Sequence, residues 1–160
     1  MDSSEFKMRE YIAADAGEMR RLHDAFADFM REILSPEMWP FDAPAADGFD
    51  AWLNSTQVPD KRLLVAEAGD GKLAGYILGT IEDEPGQLMG KWGYVDDLFI
   101  DQEYRRHGLG KNLMEGMETW FRTQGCGAVA VDSWLANPDA SRAYEAMGFT
   151  ANYTGYVRRI

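Results

Sequence analysis

The sequence contains a single cysteine, Cys126, and it has no long run of apolar residues. One thiol cannot form a disulfide within the chain, and so little cysteine is typical of proteins in a reducing cytoplasm. No apolar stretch approaches the length of a membrane span, and the N-terminal residues mix charges where a signal peptide would be apolar. We therefore expect a cytoplasmic protein that does not enter a membrane.

Basic residues are also scarce: 16 Lys and Arg against 27 Asp and Glu give a formal net charge of −11. Nucleic-acid-binding proteins neutralise phosphates with basic side chains, so this charge argues against a nucleic-acid partner and favours a cationic one. A hydrophobic content of 46% in 160 residues is typical of a globular protein. We expect a single domain over residues 1–160.

The most informative stretch joins a predicted strand to a predicted helix. The strand is apolar up to Asp101, and apolar residues recur at helical spacing from Leu109 to Phe121. A helix N-terminus presents unpaired backbone N–H groups, and glycines let a ligand approach them closely. The pattern therefore predicts a phosphate or pyrophosphate site in the loop Arg105, Arg106, His107, Gly108, Leu109, Gly110 and Lys111.

This loop does not match the two commoner phosphate motifs. A P-loop requires glycine where Arg105 stands and Ser or Thr where Asn112 stands. A dinucleotide fingerprint requires a third glycine where Leu113 stands. The remaining pattern, Arg-x-x-Gly-x-Gly, is by itself equally compatible with an ordinary strand-to-helix turn that carries solvated arginines.

A second cluster, Asn-x-x-Ala-x-x-x-Tyr-x-x-x-Gly-Phe, runs from Asn137 to Phe149. Together the two clusters resemble the GCN5-related N-acetyltransferase (GNAT) superfamily over residues 94–149. The resemblance implies an α/β fold with a mixed, mostly antiparallel central sheet flanked by helices. It also implies acetyl-CoA as cosubstrate, an amine as acceptor, no metal, and a tendency to form homodimers.

The rest of the chain fits this layout. Asp15 is a predicted N-cap, with Glu18 completing a capping box, for a helix that ends near Leu34. His23 is predicted to lie on the surface of that helix. The other predicted elements are a strand at 6–12, a helix at 47–54, a hairpin of strands at 63–66 and 73–81, a strand at 128–134, a helix at 138–147 and a strand at 149–157.

The resemblance assigns cofactor contacts to three places. The loop from Arg105 to Lys111 would hold the pyrophosphate of acetyl-CoA. Asn137 would contact the pantetheine, although an Asn before Pro138 is also a good helix N-cap. The pantetheine would pair with the backbone of the fourth strand, where an N–H group would polarise the thioester carbonyl; the residues concerned are Leu98, Phe99 and Ile100.

The resemblance also assigns Tyr144 to protonate the departing CoA thiolate. A phenol with a pKa of about 10 stays protonated at neutral pH and can donate a proton, but Tyr144 also fits ordinary helix packing. The amine must lose a proton, and we favour Asp96 and Asp132 as the base. Asp97 and Glu82 stay open, and Asp96 and Asp97 should point to opposite faces of their strand.

The acceptor side is less defined by the sequence. Aromatic residues beside acidic ones suit a cationic amine with an apolar body, or they simply close the core. The residues concerned are Phe29, Met30, Trp39, Phe41 and Trp52, with Asp24, Asp28 and Asp42. We expect a small-molecule acceptor; the alternatives are a peptide N-terminus or lysine, and a catalytically silent CoA-binding module.

Overall fold

The computed structural model describes residues 5–38, 48–86 and 90–158. Its strands form one sheet in the order β1-β2-β3-β4-β5, antiparallel except for the parallel pair β4–β5. The strands are β1 (Lys7–Glu10), β2 (Lys61–Glu67), β3 (Leu73–Asp83), β4 (Lys91–Ile100) and β5 (Val129–Val131). The α-helices are α1 (Ala16–Ile33), α2 (Phe49–Thr56), α3 (Leu109–Thr123) and α4 (Pro138–Ala146). The predicted fold class is confirmed.

The central strand β3 is apolar on both faces because helices cover both sides of the sheet. Its residues Leu73–Leu78 are buried, which is the pattern of a strand with no solvent-facing side. On one face, Leu113 and Met117 of α3 pack in a core cluster with Ile77. On the other face, Met19 and Leu22 of α1 pack with Tyr76 and Phe99. β4 contributes Val95 to the first core and Phe99 to the second.

Asp15 is the N-cap residue of α1, as predicted, but the predicted capping box does not form, because both of its carboxylates have other partners. Asp15 accepts hydrogen bonds from both terminal nitrogens of Arg9, at 2.7 and 2.8 Å, and from the Ile12 N–H at 2.9 Å. Glu18 instead accepts a hydrogen bond from the Leu73 N–H at 3.1 Å. Each carboxylate therefore ties α1 to the sheet rather than capping its N-terminus.

We expect Asp15→Ala to lower the free energy of unfolding by roughly 2 kcal/mol at pH 7, because it removes a bidentate partner of Arg9 in a largely buried position. Hydrogen bonding from Arg9 holds the pKa of Asp15 below its ordinary value. This stabilisation is complete above the unfolded-state pKa of about 4 and is lost as the pH falls through the folded-state pKa.

Urea denaturation of wild type and variant across this pH range measures the effect. Asp28→Ala is the matched control, since Asp28 and its partner Arg31 are both exposed and such pairs contribute about 0–1 kcal/mol. The prediction would be contradicted if both variants lost the same free energy of unfolding and if this loss did not change with pH.

The predicted strand at 149–157 is wrong, and β5 is shorter than the predicted 128–134. Residues 151–158 are exposed and form no strand pairing. This segment contains Asn152 and Gly155 and lacks the alternation of apolar residues that would bury one face of a strand. Among the described residues, no helix is both long and apolar enough to cross a bilayer.

Candidate active site

The loop before α3 has an unusual backbone that exposes amide nitrogens. Arg106 and Gly108 have φ values of +69° and +75°, in the left-handed region. The first helical N–H groups have no acceptor one turn earlier, and the regular ladder begins with Asn112 N–H donating to Gly108 C=O at 3.1 Å. Gly108 is the N-cap, and no side chain caps the helix there. The helix therefore begins with a row of N–H groups that can donate hydrogen bonds to a bound anion.

Glycine is favoured at the two loop positions, 108 and 110, for different physical reasons. Position 108 favours glycine because its φ is positive, a backbone conformation that other residues adopt only with strain. Gly110 has an ordinary helical position, and a Cβ added there would have only Ile100 Cγ1, at 4.0 Å, nearby. The packing of the chain therefore does not require glycine at 110. The space that a side chain would fill lies at the N–H row, so this cradle fits a phosphate group of a ligand.

Next to the cradle, β4 and β5 separate. Their pairing covers Gly93–Val95 and Val129–Val131 and does not continue along the second half of β4. The backbone of Leu98, Phe99 and Ile100 pairs with β3 on the other side. This half of β4 therefore presents an edge to which an extended ligand could be added.

Arg105 belongs to the loop, but its side chain turns to the other face of the sheet. Its Nε donates to the Ile100 carbonyl at 3.0 Å, and its guanidinium lies over the rings of Phe29 and Phe99, at 5.3 and 5.8 Å from their centroids. Lys111 pairs loosely with Glu115 at 3.7 Å. The positive end of the site therefore consists of backbone amides with flanking exposed cations rather than of a buried arginine.

Asn137 and Tyr144 are the N-cap and a residue of α4. The Asn137 side chain accepts a hydrogen bond from the Ala140 N–H at 3.2 Å, which confirms its predicted N-cap role. Tyr144 is half-buried and packs edge-on against Phe149, with ring centroids 6.0 Å apart. Burial, with a smaller contribution from the charges of Asp97 and Asp132, raises the pKa of Tyr144 to about 12. Its phenol is therefore protonated at neutral pH and can donate.

The four candidate carboxylates have different surroundings. Asp96 is exposed and accepts a hydrogen bond from the Thr80 hydroxyl at 2.5 Å. Asp132 is exposed and accepts hydrogen bonds from two tyrosine hydroxyls, at 2.8 and 2.6 Å. Glu82 lies opposite Trp92 near the far end of β3. Asp97 is half-buried beneath α2, and desolvation raises its pKa to about 6.

A model described as the Acetyltransferase (GNAT) family matches residues 20–149. This chain belongs to the GNAT family. The family resemblance read from the two sequence clusters is confirmed.

Relatives of this GNAT protein include aminoglycoside N(6')-acetyltransferase type 1 of Klebsiella aerogenes, 30% identical over 89 residues, which are 55% of this chain and 59% of the relative. L-ornithine N5-acetyltransferase of Arabidopsis thaliana is 29% identical over 86% of this chain and 65% of its own length. Both matches thus cover less than two-thirds of the relative.

Among solved structures, AAC(6')-Iy in complex with the bisubstrate analog CoA-S-monomethyl-acetylneamine superimposes with a TM-score of 0.73 at 19% identity. The match covers 97% of this chain and 99% of that one. At this identity the likeness shows that the two chains share the GNAT fold.

On the α1 and α2 face of the sheet, this GNAT chain half-buries His23, which sequence reasoning placed on the surface. The His23 ring contacts the rings of Phe49 and Trp52, with centroid distances of 5.3 and 4.8 Å. Its Nδ1 is buried and has no hydrogen-bond partner among the described residues, and Asp24 Oδ1 is 3.8 Å away. The surface prediction holds only for the exposed quarter of the side chain, because residues of α2 cover the rest, a contact that no local pattern reveals.

The structure describes some of the other residues that were predicted for the acceptor side. Phe29 lies under Arg105, and Met30 is half-buried on the same helix. Trp39, Phe41 and Asp42 lie outside the described residues. Tyr76 of β3, which sequence reasoning did not single out, is fully buried, and its hydroxyl has no hydrogen-bond partner among the described residues. Tyr76 has no signal in the sequence beyond its place in an apolar strand.

Proposed function

We propose that this protein is an N-acetyltransferase that transfers the acetyl group of acetyl-CoA to a primary amine of a small molecule, by direct attack in a ternary complex. The observation that carries the proposal is the uncapped N–H row at the start of α3, kept open by Gly110 beside the free edge of β4. Membership of the GNAT family and the CoA analog bound to a protein of the same fold support it.

Each part of the site has a role in this proposal. Acetyl-CoA supplies an activated acyl carbon as its thioester. The amides of the Arg105–Lys111 loop bind its pyrophosphate, with the cations of Arg106 and Lys111 strengthening the field. Backbone groups of Leu98, Phe99 and Ile100 orient the pantetheine and stabilise the charge that develops on the carbonyl oxygen. In the proposal Asn137 contacts the pantetheine in addition to capping α4.

We expect Tyr144→Phe to lower kcat by about 100-fold with little change in acetyl-CoA affinity. The reason is that the phenol, kept protonated by its burial, donates to the leaving sulfur, and a positioned acid typically contributes about 100-fold or more. Single-turnover kinetics and calorimetry measure the two quantities separately.

Tyr156→Phe is the matched control, because Tyr156 is 95% exposed and the same hydroxyl is removed there. It should leave both quantities unchanged. Near-normal turnover in Tyr144→Phe would remove Tyr144 from the mechanism.

The proposed function is tested by two measurements on the wild-type protein. Acetyl-CoA should raise the melting temperature in a thermal-shift titration, and free thiol should be released on addition of small primary amines. Acetylation of peptide N-termini or lysines alone would favour the peptide alternative. Stabilisation by acetyl-CoA without turnover on any amine would favour a silent CoA-binding module.

The proposal includes a cytoplasmic location and a single domain over residues 1–160. It also includes a homodimer, which light scattering tests.

A further inference from the structure

The exposed guanidinium of Arg105 is held in place by contacts on two sides. Its Nε donates to the Ile100 carbonyl at 3.0 Å, and its central carbon lies 5.3 and 5.8 Å from the ring centroids of Phe29 and Phe99. Among the described residues, its two terminal nitrogens have no hydrogen-bond acceptor. A side chain that is already oriented loses little freedom when it binds a ligand. The contacts therefore leave a pre-organised pair of donors open to solvent.

This arginine is also an exception in a strongly acidic chain, whose formal net charge is −11. Within the described ranges, arginines elsewhere in the chain, apart from Arg106 and Arg158, form ion pairs with Asp or Glu: Arg9, Arg20, Arg21, Arg31, Arg62, Arg122 and Arg142. Arg105 contacts aromatic rings instead, and none of the described carboxylates pairs with it. Its guanidinium is therefore available to an acid group of a ligand.

The position of this guanidinium is defined by the strand that it contacts. The Asp101 N–H donates to the Ala74 carbonyl at 2.9 Å. In an antiparallel pair the neighbouring residue, Ile100, then turns its carbonyl away from β3 and toward the free edge of β4. Arg105 binds that carbonyl on the face where Phe99 packs with α1, whereas α3 packs on the other face. The guanidinium therefore lies beside the edge proposed for the pantetheine, on the opposite face from α3.

We propose that Arg105 binds a carboxylate of the acceptor, so that the acceptor is a primary amine that carries an acid group at the other end of a short apolar chain. The inference rests on the proposed function and narrows its substrate class. The fork of an arginine matches the two oxygens of a carboxylate. A polyamine, in contrast, would bring a second positive charge toward a fixed one.

The surface next to Arg105 suits the chain between the two groups. Phe26 packs against Phe99 with ring centroids 5.5 Å apart, and Phe29 lies under the guanidinium. Both phenylalanines belong to α1, and each keeps part of its surface exposed. Partly exposed rings of this kind can cover methylene groups. An acid bound to Arg105 would thus have an apolar surface along which its carbon chain could lie.

Matched pairs of amines test the inference. The acids γ-aminobutanoate, δ-aminopentanoate and ε-aminohexanoate are compared with n-propylamine, n-butylamine and n-pentylamine, which lack only the carboxylate. Thiol release gives the ratio of kcat/KM within each pair at one pH, and a change in acetyl-CoA binding affects both members equally. In wild type, at least one acid should react about tenfold faster than its partner or more, because it gains a bidentate, charge-assisted contact.

Three variants assign this ratio to the guanidinium. Arg105→Gln should bring the ratio close to one, because the charged fork is lost. Arg31→Gln is the matched control, since it removes an exposed arginine of α1, and it should keep the wild-type ratio. Phe29→Leu removes one of the two rings beneath the guanidinium and should lower the ratio, which provides a second measurement if Arg105→Gln does not fold.

Several results would overturn the inference. Ratios near one for all three pairs in wild type would do so, and so would a ratio that Arg105→Gln leaves unchanged, because the guanidinium would then serve only the coenzyme or the fold. An equal fall in Arg31→Gln would assign the effect to general charge. Thiol release with other primary amines but with none of these acids would also count against it. A wild-type protein that releases no thiol with any amine would instead overturn the proposed function.

Discussion

Gly110→Glu should reduce the affinity for acetyl-CoA at least 100-fold while the fold is retained. The added side chain has room in the protein itself, since the nearest atom to a new Cβ is Ile100 Cγ1 at 4.0 Å. It would, however, stand on the N–H row of α3 and bring a negative charge to the place proposed to hold the diphosphate of the coenzyme. Calorimetric titration with acetyl-CoA measures the loss, and circular dichroism reports on the fold.

Gly116→Glu is the matched control, because it makes the same change of charge and size further along α3. Gly116 is exposed, and an added Cβ there is in ordinary contact with Leu64 Cδ1 at 3.4 Å. We expect normal affinity in this variant. Unchanged affinity in Gly110→Glu, or an equal loss in both variants, would show that the cradle does not hold the coenzyme.

Gly93→Ala should be among the most destabilising single substitutions in this chain, with a loss of about 3 kcal/mol in the free energy of unfolding. A Cβ at Gly93 would lie 2.3 to 2.5 Å from ring carbons of Phe121. Gly93 and Phe121 are both buried where α3 packs on the sheet, so the ring has little freedom to move. Urea denaturation at constant pH measures the change.

Gly17→Ala provides the control with the opposite sign. Gly17 is exposed in the first turn of α1, and nothing lies within 4 Å of an added Cβ, so alanine should stabilise by up to about 1 kcal/mol. Phe121→Leu in the Gly93→Ala background should recover part of the loss, because the two sites share one contact. A loss below about 1 kcal/mol in Gly93→Ala would mean that α3 adjusts freely on the sheet.

The elements nearest the cradle were predictable from sequence because neighbours along the chain determine them. The apolar spacing after Leu109 predicted α3, and the glycine at its start matches the observed left-handed N-cap. Asn137 before Pro138 predicted the start of α4. These are local interactions of a few residues, and tertiary packing reinforces them rather than choosing among alternatives.

The relative placement of distant residues was not predictable in this way. Asp132 lies between two tyrosines, Tyr94 and Tyr153, that are far from it in sequence. The chain after Gly148 carries no pairing that would make it a strand. His23 is covered by a helix that begins at Phe49. Each outcome depends on contacts between separate elements, which a short pattern does not encode.

By itself, the sequence determined the glycine-bearing turn into α3 and the family, since both follow from residue types at short spacing, and the resemblance to that family implied the mixed sheet. Only the tertiary structure decided which of two adjacent aspartates is enclosed. One extra residue in the register between β3 and β4 places Asp97 on the face of the core under α1 and α2 and leaves Asp96 exposed. That register is set by the pairing of whole strands, because a slip of one position exchanges the two faces of a sheet.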